Sequence, residues 1–194
     1  MEILFDKIED YTREKLKKEK VTGIDHVLRV WRWCEILANN EDVDMEVLHA
    51  AALLHDVSCP IKGRKHHYEE SAEMAEEFLT KIGYPVEKIN KVFHAIRAHS
   101  RFGGPDPITR EAEILYDADV LDFIGAIGLV RGVTRGFEGD FIGDVCEAPA
   151  LFYNMKKKAG KTFYTAKAKE IAEGRFKIID DFIERLKDEL EFLK

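Results

Sequence analysis

The stretch Ala50-Ala51-Ala52-Leu53-Leu54-His55-Asp56 decides how this chain is read. An apolar helical run ends there in an imidazole followed at once by a carboxylate. Burying both beside Leu53 and Leu54 costs several kcal/mol unless each finds a partner. A bound cation partners both groups at once. The pair gains weight because a histidine stands upstream of it and an aspartate well downstream, each in a helical phase that faces inward.

Working outward, the apolar residues recur with a helical period and strand-like alternation is almost absent, which predicts an all-α helical bundle. Residues 2–20 form an amphipathic helix with Ile3, Leu4, Ile8, Tyr11 and Leu16 inward, and Gly23 breaks it. The helix at about 25–39 carries His26, Val30, Trp33 and Leu37 on one stripe, which puts His26 on the buried face near the helix start. Asp44 caps a third helix that runs into His55-Asp56. Residues 58–67 read as a loop holding Lys62, Arg64 and Lys65. A helix over 68–82 stops at Gly83, and another covers 85–100 with Ile89, Val92, Ile96 and His99 inward. Thr109 starts a long helix to about 130. The glycine-punctuated segment 132–149 is left unassigned, with a lid over the pocket as its suggested role. An amphipathic helix at 165–193 closes the chain. One domain is expected over 1–194, with the site in 20–130 and the helices of 150–193 packed on it.

At 194 residues a single core suffices. A net charge of −7 argues against a surface that binds nucleic acid in bulk. No apolar run reaches the roughly 18 residues of a membrane span. Cys34, Cys59 and Cys146 form no CxxC pair and read as reduced thiols of a cytoplasmic protein. The oligomeric state is left open.

Four residues stand out as metal-ligand candidates: His26, His55, Asp56 and Asp119. Two imidazoles and two carboxylates held between helices suit Mn²⁺, Co²⁺, Ni²⁺, Fe²⁺ or Zn²⁺ better than Mg²⁺. Asp117 and Asp119 point about 200° apart on their helix, whereas Asp119 and Asp122 fall within about 60°. Asp122 therefore reads equally as an orienting or substrate-binding group and as the partner of a neighbouring helix. Asp117 reads as a solvated or structural carboxylate. Lys62, Arg64 and Lys65 begin beside the HD pair and suit a di- or triphosphate. The lysines from 156 to 169 read as a solvated face. His49 and His66 read as surface residues, Cys59 as an idle thiol, and Trp31 and Trp33 as packing.

His26, the AALLHD run ending in His55-Asp56, and the DADVLDFIGAIGLVR stretch of 117–131 resemble the HD-domain metal-dependent phosphohydrolase superfamily. The HAIRAHS run of 94–100 and Thr165, Ala172 and Arg175 look closest to a small branch that includes nucleoside-triphosphate pyrophosphohydrolases. The resemblance implies an all-α fold of the HD type. It implies one divalent metal held by His26, His55, Asp56 and Asp119, and hydrolysis of a phosphate ester or anhydride. His67, His94 and His99 fall where related HD proteins with two-metal sites place extra histidines. One ion is favoured over two. By phase His99 faces inward, and His94, about 140° away, lies at the pocket edge. His67 reads equally as a metal and as a substrate contact. Arg175 enters as a substrate residue through the resemblance alone.

The expected reaction is hydrolysis of a (deoxy)nucleoside triphosphate to monophosphate and pyrophosphate. Asp56 or a nearby histidine, His67 or His99, accepts the proton from water. The alternatives are a phosphomonoesterase, a cyclic- or dinucleotide phosphodiesterase, and a silent nucleotide-binding sensor.

Overall fold

The computed structural model describes residues 2–62, 66–101, 103–160 and 162–191. It is all-α, and no strand occurs among the described residues. The helices are α1 (Glu2–Leu16), α2 (Ile24–Leu37), α3 (Met45–Leu54), α4 (Cys59–Lys62), α5 (His67–Lys81), α6 (Val86–Ala98), α7 (Arg110–Phe123), α8 (Gly125–Glu138), α9 (Ala148–Ala159) and α10 (Ala166–Glu191). The residues group into two compact units, Met1–Asp119 and Val120–Lys194, with the boundary inside α7.

In the first unit α3 is the central element. It packs against α1, α2, α5 and α6, while α5 and α6 form the most extensive helix pair. This follows from its composition, since Val47, Leu48 and every residue from Ala50 to Leu54 are buried. Its start is fixed by Asp44, whose Oδ1 accepts hydrogen bonds from the backbone N–H of Glu46 at 3.1 Å and Val47 at 3.3 Å. Thr12 on α1 donates its hydroxyl to the Leu53 carbonyl at 3.1 Å, one of the carbonyls that the end of α3 leaves without an intrahelical donor. α5 ends at Gly83, whose φ of +74° lets Tyr84 N–H reach back to the Leu79 carbonyl at 3.0 Å.

In the second unit α8, α9 and α10 pack on one another. The long helix expected from Thr109 to about 130 is interrupted. α7 stops at Phe123, Ile124 is extended, and Gly125 restarts the chain as α8 with φ +74°. An L side chain at that φ is strained by about 1–2 kcal/mol, so glycine sets the break. The segment 132–149, read as unassigned, holds the end of α8, a 3₁₀ turn at Val145–Glu147 and the start of α9. Helix forms despite the glycines because α9 lies close: a Cβ at Gly132 would stand 2.6 Å from the Met155 sulfur.

Three further expectations change. The loop at 58–67 contains the single helical turn α4. Ile3 is 71% exposed rather than inward. His49 is half-buried, with its ring 4.2 Å from Trp31 and 4.4 Å from Phe5, so packing with two aromatic rings replaces the surface role.

Candidate metal centre

The fold collects its imidazoles and carboxylates at the end of α3. His55 is the C-cap of that helix, where the chain stops making i→i−4 bonds. His55 Nδ1 stands 2.7 Å from the Ala52 carbonyl oxygen. A carbonyl only accepts, so Nδ1 carries the proton and Nε2 presents a lone pair. That lone pair faces His26, the third residue of α2, with 3.2 Å between the two Nε2 atoms. Asp56 Oδ2 lies 3.7 Å from His26 Nε2 and 3.8 Å from His55 Nε2. Asp119 on α7 brings Oδ1 to 3.4 Å from His26 Nε2. His26, His55 and Asp56 are at most 2% exposed, whereas the Asp119 side chain is 23% exposed. The set is therefore buried on three sides and open toward Asp119.

A second set shares Asp56. Its Oδ1 lies 3.6 Å from His67 Nε2 and 3.7 Å from His99 Nε2, and those two nitrogens are 3.2 Å apart. His67 opens α5 and His99 caps the end of α6. His99 Nδ1 stands 2.5 Å from the Ile96 carbonyl, the same device as at His55, and it leaves Nε2 as the lone-pair atom. Among the described residues two trios, His26–His55–Asp56 and Asp56–His67–His99, have donor atoms that all lie within 4.8 Å of one another, close enough to share an ion, and Asp119 joins the first trio through its approach to His26.

The electrostatics agree with a cation-binding role. Burial raises the Asp119 carboxyl, but His26, His99 and His55 outweigh it and hold its pKa below the ordinary carboxylate range. Burial, reinforced by His55 and His67, pulls His99 down to about 3, so its imidazole is neutral at physiological pH. The Nε2 lone pairs directed by the Nδ1 bonds of His55 and His99, beside the low-pKa Asp119 carboxyl and Asp56, form the kind of donor set that a divalent transition metal takes. The residues fit the ion.

A model of the HD domain matches residues 23–124, more than half of the chain. The chain belongs to the HD domain family. In this HD protein the match begins just before α2 and ends just after α7, enclosing both donor sets. The Bacillus subtilis (strain 168) protein YpgQ, described as uncharacterized, is 29% identical over 174 residues, covering 85% of this chain and 82% of YpgQ. The crystal structure of a Lactobacillus plantarum protein superimposes with a TM-score of 0.81 at 27% identity, covering 98% of each chain. A protein described as a predicted HD superfamily hydrolase, from an uncultured Thermotogales bacterium, gives 0.66 at 28% identity, over 95% of this chain and 92% of that one. YpgQ in complex with ADP gives a TM-score of 0.76 at 24% identity, over 95% of this chain and 94% of that one, which shows the shared fold. The HD protein is a metal-dependent phosphohydrolase, and its histidine and aspartate groups are placed where they could hold a divalent metal.

The residues read as substrate contacts fare differently. Arg64, Lys65 and the side chain of Lys62 lie outside the described residues. His94 is turned to the backbone: its Nε2 accepts the Ile108 N–H at 3.1 Å, fastening the 103–109 loop to α6. A loop amide thus occupies the Nε2 lone pair of this half-buried residue. Asp122 is fully buried and paired with Arg131 of α8 at 2.7 Å, so the neighbouring-helix alternative describes it. Arg175 donates Nη1 to the Leu121 carbonyl, and its methylenes lie where a Cβ at Gly125 would be, 3.1–3.4 Å away. Through this bond it caps the end of α7. Asp117 is completely buried, hence structural rather than solvated. Arg101 and Tyr116 escaped notice in the sequence. Arg101 stands two residues past His99 and Tyr116 three before Asp119, and only this proximity along the chain hinted at them.

Proposed function

We propose that this HD enzyme hydrolyses (deoxy)nucleoside triphosphates to monophosphate and pyrophosphate, in the manner of the small pyrophosphohydrolase branch. The observation that carries the reading is the Asp56 carboxylate, which divides its two oxygens between the His26–His55 pair and the His67–His99 pair. The nucleotide class is supported by the relative YpgQ, which was crystallised with ADP.

His26, His55, Asp56 and Asp119 would hold one divalent transition metal, with Mn²⁺ the favoured ion. A Lewis acid held there lowers the pKa of water and polarises a phosphoryl oxygen. The chain supplies the rest. The Nδ1–H bond of His55 to Ala52 locks its tautomer and ring plane, so no reorganisation is needed when charge develops. The buried walls exclude competing water. His67, 3.6 Å from Asp56 Oδ1, takes the proton released by the attacking water. His99, its pKa drawn down to about 3 by burial, is a weak base and better suited to donate a nitrogen lone pair. The second donor set favours one further reading, in which Asp56, His67 and His99 hold a second cation.

The reaction is tested by chromatography of products from a nucleotide panel with Mn²⁺, Co²⁺, Ni²⁺, Zn²⁺ or Mg²⁺, beside an Asp56→Ala control. Monophosphate plus pyrophosphate in a one-to-one ratio is the expected result. Phosphate released from monophosphates would replace it with a phosphomonoesterase. Metal analysis giving two ions per chain would select the second reading.

A further inference from the structure

One charged side chain beside the donor sets has no part in the chemistry above. Arg101 follows the end of α6, and its guanidinium carbon stands 4.9 Å from the centroid of the Tyr116 ring. Tyr116 and Asp119 are three residues apart on α7, hence neighbours on one helix face. The cation stacked on Tyr116 therefore lies on the side of α7 that carries Asp119. The residue is half-buried, and its charge is felt by Tyr116, Asp119 and Asp117. Burial of the guanidinium outweighs these partners and draws its pKa below the ordinary value, yet an arginine stays charged across the physiological range.

Asp117 accounts for some of this charge, since a fully buried carboxylate needs a cation near it. It does not account for the position of the guanidinium over the Tyr116 ring. A guanidinium carries its N–H groups in a rigid planar fork that matches two oxygens of a phosphate. A nucleoside polyphosphate brings several negative charges toward a site already holding Asp56 and Asp119. The phosphate that does not react then needs a cation of its own beside the metal ligands.

We propose that Arg101 anchors the substrate. Its guanidinium, positioned over the Tyr116 ring, takes two oxygens of the non-reacting phosphate while the reacting phosphate lies at the donor set. The inference rests on the nucleotide reading above and adds the residue that recognises the polyphosphate chain.

The test is calorimetric binding of ADP in the presence of Mn²⁺ to the wild type, R101K and the double variant R101Q/D117N. R101K keeps a positive charge beside Asp117 but loses the fork, and the double variant removes both members of the pair. Thermal melting and Mn²⁺ affinity, measured without nucleotide, report the fold and the metal ligands. The expected result is Mn²⁺ affinity within about twofold of wild type in both variants, with ADP affinity lowered about tenfold or more, since a bidentate charged contact is lost. Folded, Mn²⁺-loaded variants that bind ADP as tightly as wild type would overturn the anchor and leave the nucleotide reading intact. Mn²⁺ and ADP affinity falling together would assign Arg101 a structural role instead. A wild type that binds Mn²⁺ but not ADP would overturn the nucleotide reading, and the anchor with it.

Discussion

His26 Nε2 lies 3.4 Å from Asp119 Oδ1, so a residue near the start of α2 meets one on α7 across the donor set. His26 Nε2 also lies 3.7 Å from Asp56 Oδ2. Replacing Asp119 by Ala removes the carboxylate that closes this side. Mn²⁺ affinity should fall by a factor of about 100 or more and turnover should drop to background, as for loss of a group at the metal. Isothermal titration with Mn²⁺ and initial rates measure the two effects. A metal-loaded, fully active variant would remove Asp119 from the ligand set.

His67 and His99 are 3.2 Å apart but belong to the second set. His67→Ala should leave Mn²⁺ at His26, His55, Asp56 and Asp119 bound within severalfold. It should lower kcat by about 10²–10⁴, the range for loss of a proton-transfer group. Paramagnetic resonance of bound Mn²⁺ beside steady-state rates separates binding from turnover. Unchanged kcat would take His67 out of the reaction.

The metal-free protein should lose stability as pH falls from about 6.5 toward 3. The His99 pKa is about 3 in the folded state, below its ordinary value near 6.5, so the unfolded chain binds the proton first. The stabilisation it contributes is complete above about 6.5 and is lost through that window. Asp119, also depressed, adds a loss in the same direction as pH falls through its folded value. Urea unfolding in chelator at pH 7.5, 6 and 5 should show this slope, and His99→Gln should flatten it. Adding Mn²⁺ at 100 times its Kd should raise stability by about 2.7 kcal/mol.

The Asp122–Arg131 pair is a structural test of the second unit. Asp122 is 1% exposed and the Arg131 side chain 13%. Asp122→Ala leaves a desolvated guanidinium and should destabilise by about 3–5 kcal/mol, read from urea denaturation. Removing both partners should cost less than removing Asp122 alone. Equal losses would mean that the pair contributes through packing.

Gly125→Ala should destabilise by about 1–2 kcal/mol from the φ of +74° alone. The added methyl also meets the Arg175 methylenes at 3.1–3.4 Å, which adds a further small loss unless Arg175 shifts. Thermal melting checks the sum, and Gly125→Ala in an Arg175→Ala background isolates the backbone part.

Local regularities of the chain were enough to lay out much of this molecule. The stripe His26–Val30–Leu37 is set by 3.6 residues per turn and needs no tertiary information to place His26 inward. Asp44 announces the start of α3 because its carboxylate accepts from the N–H groups two and three residues on, a contact confined to one turn. Gly83 marks the end of α5 by the same kind of short-range chemistry.

Other features depend on what lies across the fold. His94 and His99 share a helix, and helical phase alone separated them. Only the loop amide of Ile108 shows where the His94 lone pair goes. Gly125 could have continued one long helix, since a glycine inside a helix costs only about 1 kcal/mol, but it takes a φ of +74° with the Arg175 methylenes packed beside it, a contact 50 residues away along the chain. The approach of His67 to His99, and the stacking of Arg101 on Tyr116, join separate elements through space. A sequence specifies turn-length preferences directly, because their partners lie within four residues. Where two helix ends meet is set by the packing of the intervening elements, and the second donor set and the arginine beside Asp119 exist only at that level.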